Sequence, residues 1–101
     1  MWGYMSDSAL RRFKYTKHAL FRMSKRGVSR DSVEDVVLLS EERYVDEVRD
    51  VLIAVRRDKP LIVAYREVDD EFLIITVYAP SNVDKVVKRK ARLGRWRPWS
   101  K

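Results

Sequence analysis

Residues 51–78, VLIAVRRDKPLIVAYREVDDEFLIITVY, decide the fold. β-Branched and aromatic residues fill three short runs, Val51 to Arg56, Leu61 to Glu67 and Glu71 to Tyr78, broken at Arg57-Asp58-Lys59-Pro60 and at Asp69-Asp70. Breaks of that length permit only antiparallel hairpins, because a parallel crossover needs a dozen residues or more. Upstream, Arg43 to Val48 adds a fourth run before the break Arg49-Asp50. The expectation is a four-stranded antiparallel meander. With Arg56 opposite Leu61 and Val68 opposite Glu71, one face collects Val51, Ile53, Val55, Ile62, Ala64, Leu73, Ile75 and Val77 and should meet the helices. The other face collects Leu52, Ala54, Arg56, Val63, Tyr65, Phe72, Ile74, Thr76 and Tyr78, with Arg56 and Tyr78 at one end of the sheet. The last run is an edge strand with little charge, open to strand addition or to a partner that covers the apolar face.

Working outward, the stretch YTKHALFRMSKRGV, residues 15–28, reads as a capped helix from about Lys17 to Arg26. Thr16 is the N-cap, and Gly27 leaves the helix in a conformation that a Cβ would penalise. Ala19, Leu20 and Met23 form its apolar stripe, bordered by His18, Arg22 and Arg26 at intervals of four. That row repels itself unless an anion sits along it. Ser29 caps a second helix, with Asp31 in its first turn and Val33, Val36 and Val37 as its buried stripe. Beyond the sheet, Ser81 and Asp84 mark the start of a third helix over about residues 82 to 93. Its Val83, Val86 and Val87 can cover the sheet, leaving Lys85, Lys88 and Arg92 as an exposed basic stripe. The organisation is thus a lead-in over residues 1–14, in which Trp2 and Tyr4 can act as packing anchors, a single α+β domain over 15–93, and a basic tail over 94–101. Two N-terminal helices pack on the meander and a basic helix follows it.

Net charge is +7, and its distribution says more than its size. Residues 1–30 carry +7, residues 31–84 carry −8, and residues 85–101 carry +8 with no acid. If the two basic ends meet in space they form one polyanion-binding field. The chain has no cysteine and one histidine, so thiolate and multi-histidine metal sites are excluded and no cofactor motif is present. No apolar run reaches the length of a membrane span or of a signal peptide, which points to a soluble cytoplasmic protein.

Several side chains have two readings. His18 is either a surface or packing residue or a proton-transfer group, imidazole being the side chain that exchanges a proton near neutral pH. Arg22 and Arg26 either clamp phosphate or pair with acids such as Glu34, Asp35 or Asp46. Tyr65 and Tyr78 read as packing residues of the sheet. In the tail, Arg95 and other cations alternate with Trp96 and Trp99, whose indoles either stack on exposed bases while the cations follow the backbone or tuck against the sheet.

The run KHALFRMSKRGVS, with a second helix, a meander and an ITVY final strand behind it, resembles a small uncharacterised prokaryotic family with a KHA..RM..RG helix motif. The motif stands here in His18, Arg22, Met23, Arg26 and Gly27, and the resemblance spans roughly residues 13 to 80. That family is similar in size and element order to RelE/ParE-type and BrnT-type toxins of toxin-antitoxin systems. The resemblance implies a RelE-like fold and a metal-independent endoribonuclease held by an antitoxin that covers the sheet and the basic site. It implies His18 as base or acid, Arg22 as a catalytic cation and Tyr78 as a functional residue closing the last strand. RNA, free or ribosome-bound, or DNA would lie along Arg26, Arg56, Lys85, Lys88, Arg92, Arg95, Trp96 and Trp99. The long basic helix and tryptophan-containing tail depart from the RelE pattern. Two other classes fit the same charge distribution, a nucleic-acid-binding module without catalysis and a protein-interaction domain for an acidic partner.

Overall fold

In the computed structural model, which describes residues 12–99, strands and helices follow in the order β1 (Arg12–Tyr15), α1 (Lys17–Arg26), α2 (Arg30–Leu39), β2 (Glu42–Asp46), β3 (Val51–Arg56), β4 (Leu61–Val68), β5 (Glu71–Tyr78), α3 (Val83–Arg92) and β6 (Trp96–Pro98). The fold is α+β, and its sheet has six strands in the order β1-β5-β4-β3-β2-β6 rather than the four expected. The expected element order changes at both ends: a strand precedes the first helix and another follows the last. β1, assigned to the lead-in by sequence, runs parallel to β5, and β6, assigned to the tail, pairs antiparallel with β2. All other pairings are antiparallel. The edge of β5 that looked open to a partner is therefore occupied by the chain itself. The expected anchoring by Trp2 and Tyr4 lies outside the described residues.

The helix caps follow local chemistry. Thr16 accepts from the Ala19 amide at 3.0 Å, and its hydroxyl donates to the Ile75 carbonyl at 2.8 Å. The N-terminus of α1 is thereby tied to the middle of β5. Gly27 takes φ +65°, where its amide reaches the last turn of α1. Ser29 caps α2 by accepting from Ser32. α2 has no basic residue in its last turn, so Arg43 of β2 supplies the donor, bonding the Val37 carbonyl at 2.6 Å and the Tyr65 hydroxyl at 2.7 Å from a buried position. The third helix starts one residue later than read, with Asn82 rather than Ser81 as its cap. Asp46 ends β2 two residues early by accepting from the Arg49 amide, which makes a four-residue connection with Asp50 in the left-handed region. The Asp69-Asp70 connection has the two residues expected.

The faces are used the other way round from the sequence expectation. α1 and α2 bury Ala19, Met23, Val33, Val36 and Val37 against Ala54, Leu61, Val63, Tyr65, Phe72 and Ile74, and Phe13 stacks on Phe72 at 5.1 Å between ring centroids. The face carrying Val51, Ile53, Val55, Ile62 and Ala64 is covered by Val83 and Val87 of α3 and by Trp96. Both faces are apolar, so the burial pattern alone cannot choose between them; the parallel pairing of β1 with β5, which seats α1, does.

β5 also breaks the two-residue alternation. Tyr65 pairs with Ile74 and Ala64 with Thr76, so Ile75 is an extra residue, a β-bulge. Beyond it Val63 pairs with Val77 and Ile62 with Tyr78. Ile75 therefore packs with the cluster under α3, while Val77 turns to the α1/α2 side and Tyr78 to the α3 side, reversing the expected positions of both.

Candidate functional site

Where the C-terminal end of β5 passes between α1 and α3, cations of the first and last helices meet. α3 buries Val83 and Val87 and half-buries Val86, which leaves two flanks along the helix. On one flank Asp84 binds Lys88 at 3.0 Å and Arg57 at 3.3 Å, and Arg57 also binds Glu42 at 2.7 Å. This clasp fixes α3 to the sheet. Arg57 hydrogen bonds hold the Glu42 carboxyl below its usual range, whereas burial, reinforced by the hydrogen bond to Glu42, pushes the Tyr44 phenol up to about 12. The other flank, Lys85 and Arg89, faces Arg22 and Arg26 of α1 across a groove of about 580 Å³.

Tyr78 and Trp96 form the aromatic wall of the groove, with Lys90 beside them and Ala79, Pro80, Ser81 and Asn82 along one side. Five cationic residues line it and no carboxylate does. Among the described residues, Arg22, Arg26, Lys85, Arg89 and Lys90 form no ion pair; the expected alternative of Arg22 and Arg26 paired with Glu34, Asp35 or Asp46 is not the arrangement found. Arg22 instead donates to the Val77 carbonyl at 3.4 Å and sits 5.5 Å from the Tyr78 ring centroid. Arg49 donates to the Tyr78 hydroxyl at 3.3 Å. The bulge at Ile75 is what aims Tyr78 here, between two guanidinium groups.

The groove gathers four of the sequence-selected residues, Arg22, Arg26, Tyr78 and Lys85, together with Trp96 as a wall. Trp96 cannot serve as an exposed stacking platform. It is 3% exposed, stacks on Tyr44 at 5.7 Å and carries Lys90 5.9 Å from its ring, because β6 pairs with β2 and brings the indole into the core. Arg56 lies on the α2 side of the sheet, paired with Asp58 at 2.9 Å, and takes no part in the groove. Lys88 is engaged by Asp84, and Arg95 by the buried Asp46 at 3.3 Å. Arg92 is exposed and outside the groove, and Trp99, half-buried, donates its amide to the Arg43 carbonyl. His18 is exposed one helical turn before Arg22, also outside the lining.

Arg89 and Lys90 were not singled out by sequence. The signal was present: Arg89 is four residues after Lys85, and Lys90 four after Val86, so the apolar stripe of α3 placed both beside the sheet. No group of three or more His, Cys, Asp or Glu residues capable of holding a metal occurs among the described residues, and no helix among them is long and apolar enough to cross a membrane.

Fold and groove together define a small α+β domain with a cationic cleft between its first and last helices. The model of one family, described as a domain of unknown function (DUF4258), matches residues 15–79, and the chain belongs to that family. The matched segment contains Arg22, Arg26 and Tyr78, whereas Lys85, Arg89, Lys90 and Trp96 lie beyond it. No curated protein and no solved structure gives a match.

Proposed function

We propose that the chain is a RelE/BrnT-like RNA-binding protein that cleaves RNA without a metal ion, with the groove between α1 and α3 as its phosphodiester site. The observation that carries this reading is the convergence of five cations from distant parts of the sequence around Tyr78, with no carboxylate in the lining. Clustering like charges without counter-charges is unfavourable in the free protein, and a polyanion removes the cost. In the proposed reaction the ribose 2′-oxygen attacks the adjacent phosphorus, its proton passes to a base, and the phosphorus to O5′ bond breaks as O5′ takes up a proton. The products are a 2′,3′-cyclic phosphate and a 5′-hydroxyl. In this reading Arg22, Arg26 and Arg89 stabilise the charge on the non-bridging oxygens, and Tyr78 protonates O5′. A strand running along α1 past Arg26 and Arg22 next meets His18, ~6 Å further along the axis, as the base. A neutralising protein partner would have to reach this groove, since β1 occupies the edge of β5.

The test is incubation of the purified chain with end-labelled single-stranded RNA in the presence of a chelator. Cleavage to cyclic-phosphate ends is expected. Arg22→Ala with Arg26→Ala should weaken binding at least ~10-fold, the loss of one to two charge-assisted hydrogen bonds. RNA that stays unbound at low salt overturns the reading. RNA bound but uncut favours the second reading, a binding module without catalysis, which the same groove supports.

A further inference from the structure

We infer that a second cavity, of about 310 Å³, adjoining the groove is a pocket for an unpaired guanine base, recognised by the Thr76 hydroxyl and the Asp46 carboxylate. This rests on the RNA reading of the groove and names the nucleotide that site selects. The cavity shares Tyr78, Lys90 and Trp96 with the groove, so a strand whose phosphate lies among the cations has a base within reach of it. Its lining is partly aliphatic, made by Val51, Ile53, Ala64 and Ile75 where the cluster under α3 and Trp96 borders the cavity. An apolar lining of this kind suits a base, and the volume is at the lower end for ligand pockets, ~300 Å³ and above.

Two polar groups at the floor favour a base over a lipid or other apolar ligand. Thr76 is 4% exposed, yet its hydroxyl has no hydrogen-bond partner among the described residues. A buried hydroxyl without a partner is disfavoured and therefore uncommon. The cause is the bulge at Ile75, which turns Thr76 to the same face as Ala64 instead of the α1/α2 side. Asp46 is 1% exposed; one carboxylate oxygen accepts from the Arg49 amide at 3.1 Å and the other from Arg95 at 3.3 Å. Each oxygen still has a lone pair to offer. A carboxylate only accepts, so the matching base must present N–H donors. Guanine offers two adjacent ones on its Watson–Crick edge, and its O6 can take the proton of the Thr76 hydroxyl. At the mouth, Arg49 and Lys90 supply positive charge for the flanking phosphate.

The experiment compares binding of the full chain, in chelator, to a nine-nucleotide uridine RNA and to the same RNA with one central guanosine. Wild-type protein is expected to prefer the guanosine RNA by ~10-fold, the worth of one to two good hydrogen bonds. Thr76→Val keeps the β-branched shape and removes the hydroxyl. It should cut that preference by ~5-fold, leave the affinity for the uridine RNA unchanged, and leave the melting temperature equal or higher. Equal binding of the two RNAs by wild-type protein overturns the inference while sparing the groove. An unchanged preference in Thr76→Val, or a lower melting temperature with both affinities falling together, overturns it as well. Failure of wild-type protein to bind either RNA at low salt removes the groove reading and this inference with it.

Discussion

Trp96 shows at the scale of one residue how position in the fold overrides composition. Two tryptophans among arginines and lysines read as base-stacking platforms, but Trp96 stacks on Tyr44 and joins Val51, Ile53 and Ile62 in the core beneath α3. Trp96→Ala should therefore cost stability first, ~3–5 kcal/mol, as for other buried aromatic truncations. Urea denaturation at equilibrium measures it; a variant of wild-type stability with weakened RNA binding would return Trp96 to the role of a surface platform. Thr16 acts in the opposite sense, as a residue read correctly from its local context that also reaches beyond it. Its hydroxyl caps α1 and grips the carbonyl of the bulged Ile75, and its amide bonds the Ile74 carbonyl at 3.0 Å. One side chain thus holds Arg22 and Tyr78 in mutual reach.

α3 is the element on which the site depends, because it supplies three of the five groove cations and closes the second face of the sheet. Hydrophobic burial of Val83 and Val87 seats it, and the Glu42–Arg57–Asp84 clasp fixes its rotation so that Lys85 and Arg89 turn toward α1. Because Arg57 depresses the Glu42 pKa, this carboxylate contributes stability above the unfolded carboxylate range, ~4.3, and loses it as pH falls through the folded value. Glu42→Gln should thus be less stable than wild type at pH 7, by no more than ~1 kcal/mol given the solvent screening of such pairs, with the difference vanishing in acid. Denaturation midpoints at neutral and acidic pH check the sign. A difference that grows on acidification would mean that Glu42 is not held ionised by Arg57. β5 is the second decisive element: without its bulge, Thr76 and Tyr78 would face α1 and α2, and neither cavity would have its polar wall.

For the whole molecule the governing fact is that two basic segments, +7 and +8 in sequence and separated by an acidic stretch of −8, each send cations into one groove, Arg22 and Arg26 from the first and Lys85, Arg89 and Lys90 from the second. The acidic stretch does not neutralise the groove: none of its carboxylates lines it, and Glu42, Asp46, Glu47, Asp58, Glu71 and Asp84 pair with other cations, Arg12, Lys14, Arg56, Arg57, Lys88, Arg95 and Arg97. Binding of single-stranded RNA to the five groove cations should weaken steeply with salt, at ~0.7 per contact, a slope of about −3.5 in log affinity against log salt. Titration at several salt concentrations measures it. A slope near zero would show that the groove holds no phosphates, whatever else it binds.

Much of this arrangement was legible from the chain alone. Period-two runs, short breaks, caps at Thr16 and Ser29, and Gly27 identified the meander and the first two helices, because each rests on contacts within a few residues. Helical spacing points to Arg22, Arg26 and Lys85 as exposed cations, and the family resemblance points to Tyr78; the groove contains all four. Arg56 and Trp96 were misplaced, and Arg89 and Lys90 overlooked, because their surroundings are built by residues far away in sequence. Local sequence determined the three helices, the four central strands and where positive charge is stored, since hydrogen-bond geometry and side-chain periodicity act at short range, whereas Arg12–Tyr15 and Trp96–Pro98 become strands only by pairing with β5 and β2. Only tertiary structure decided which face each helix covers, that β1 closes the edge of β5, and that a single extra residue at Ile75 turns Thr76 and Tyr78 toward α3. Both sheet faces are apolar enough to be buried, so the choice between them was made by long-range strand pairing.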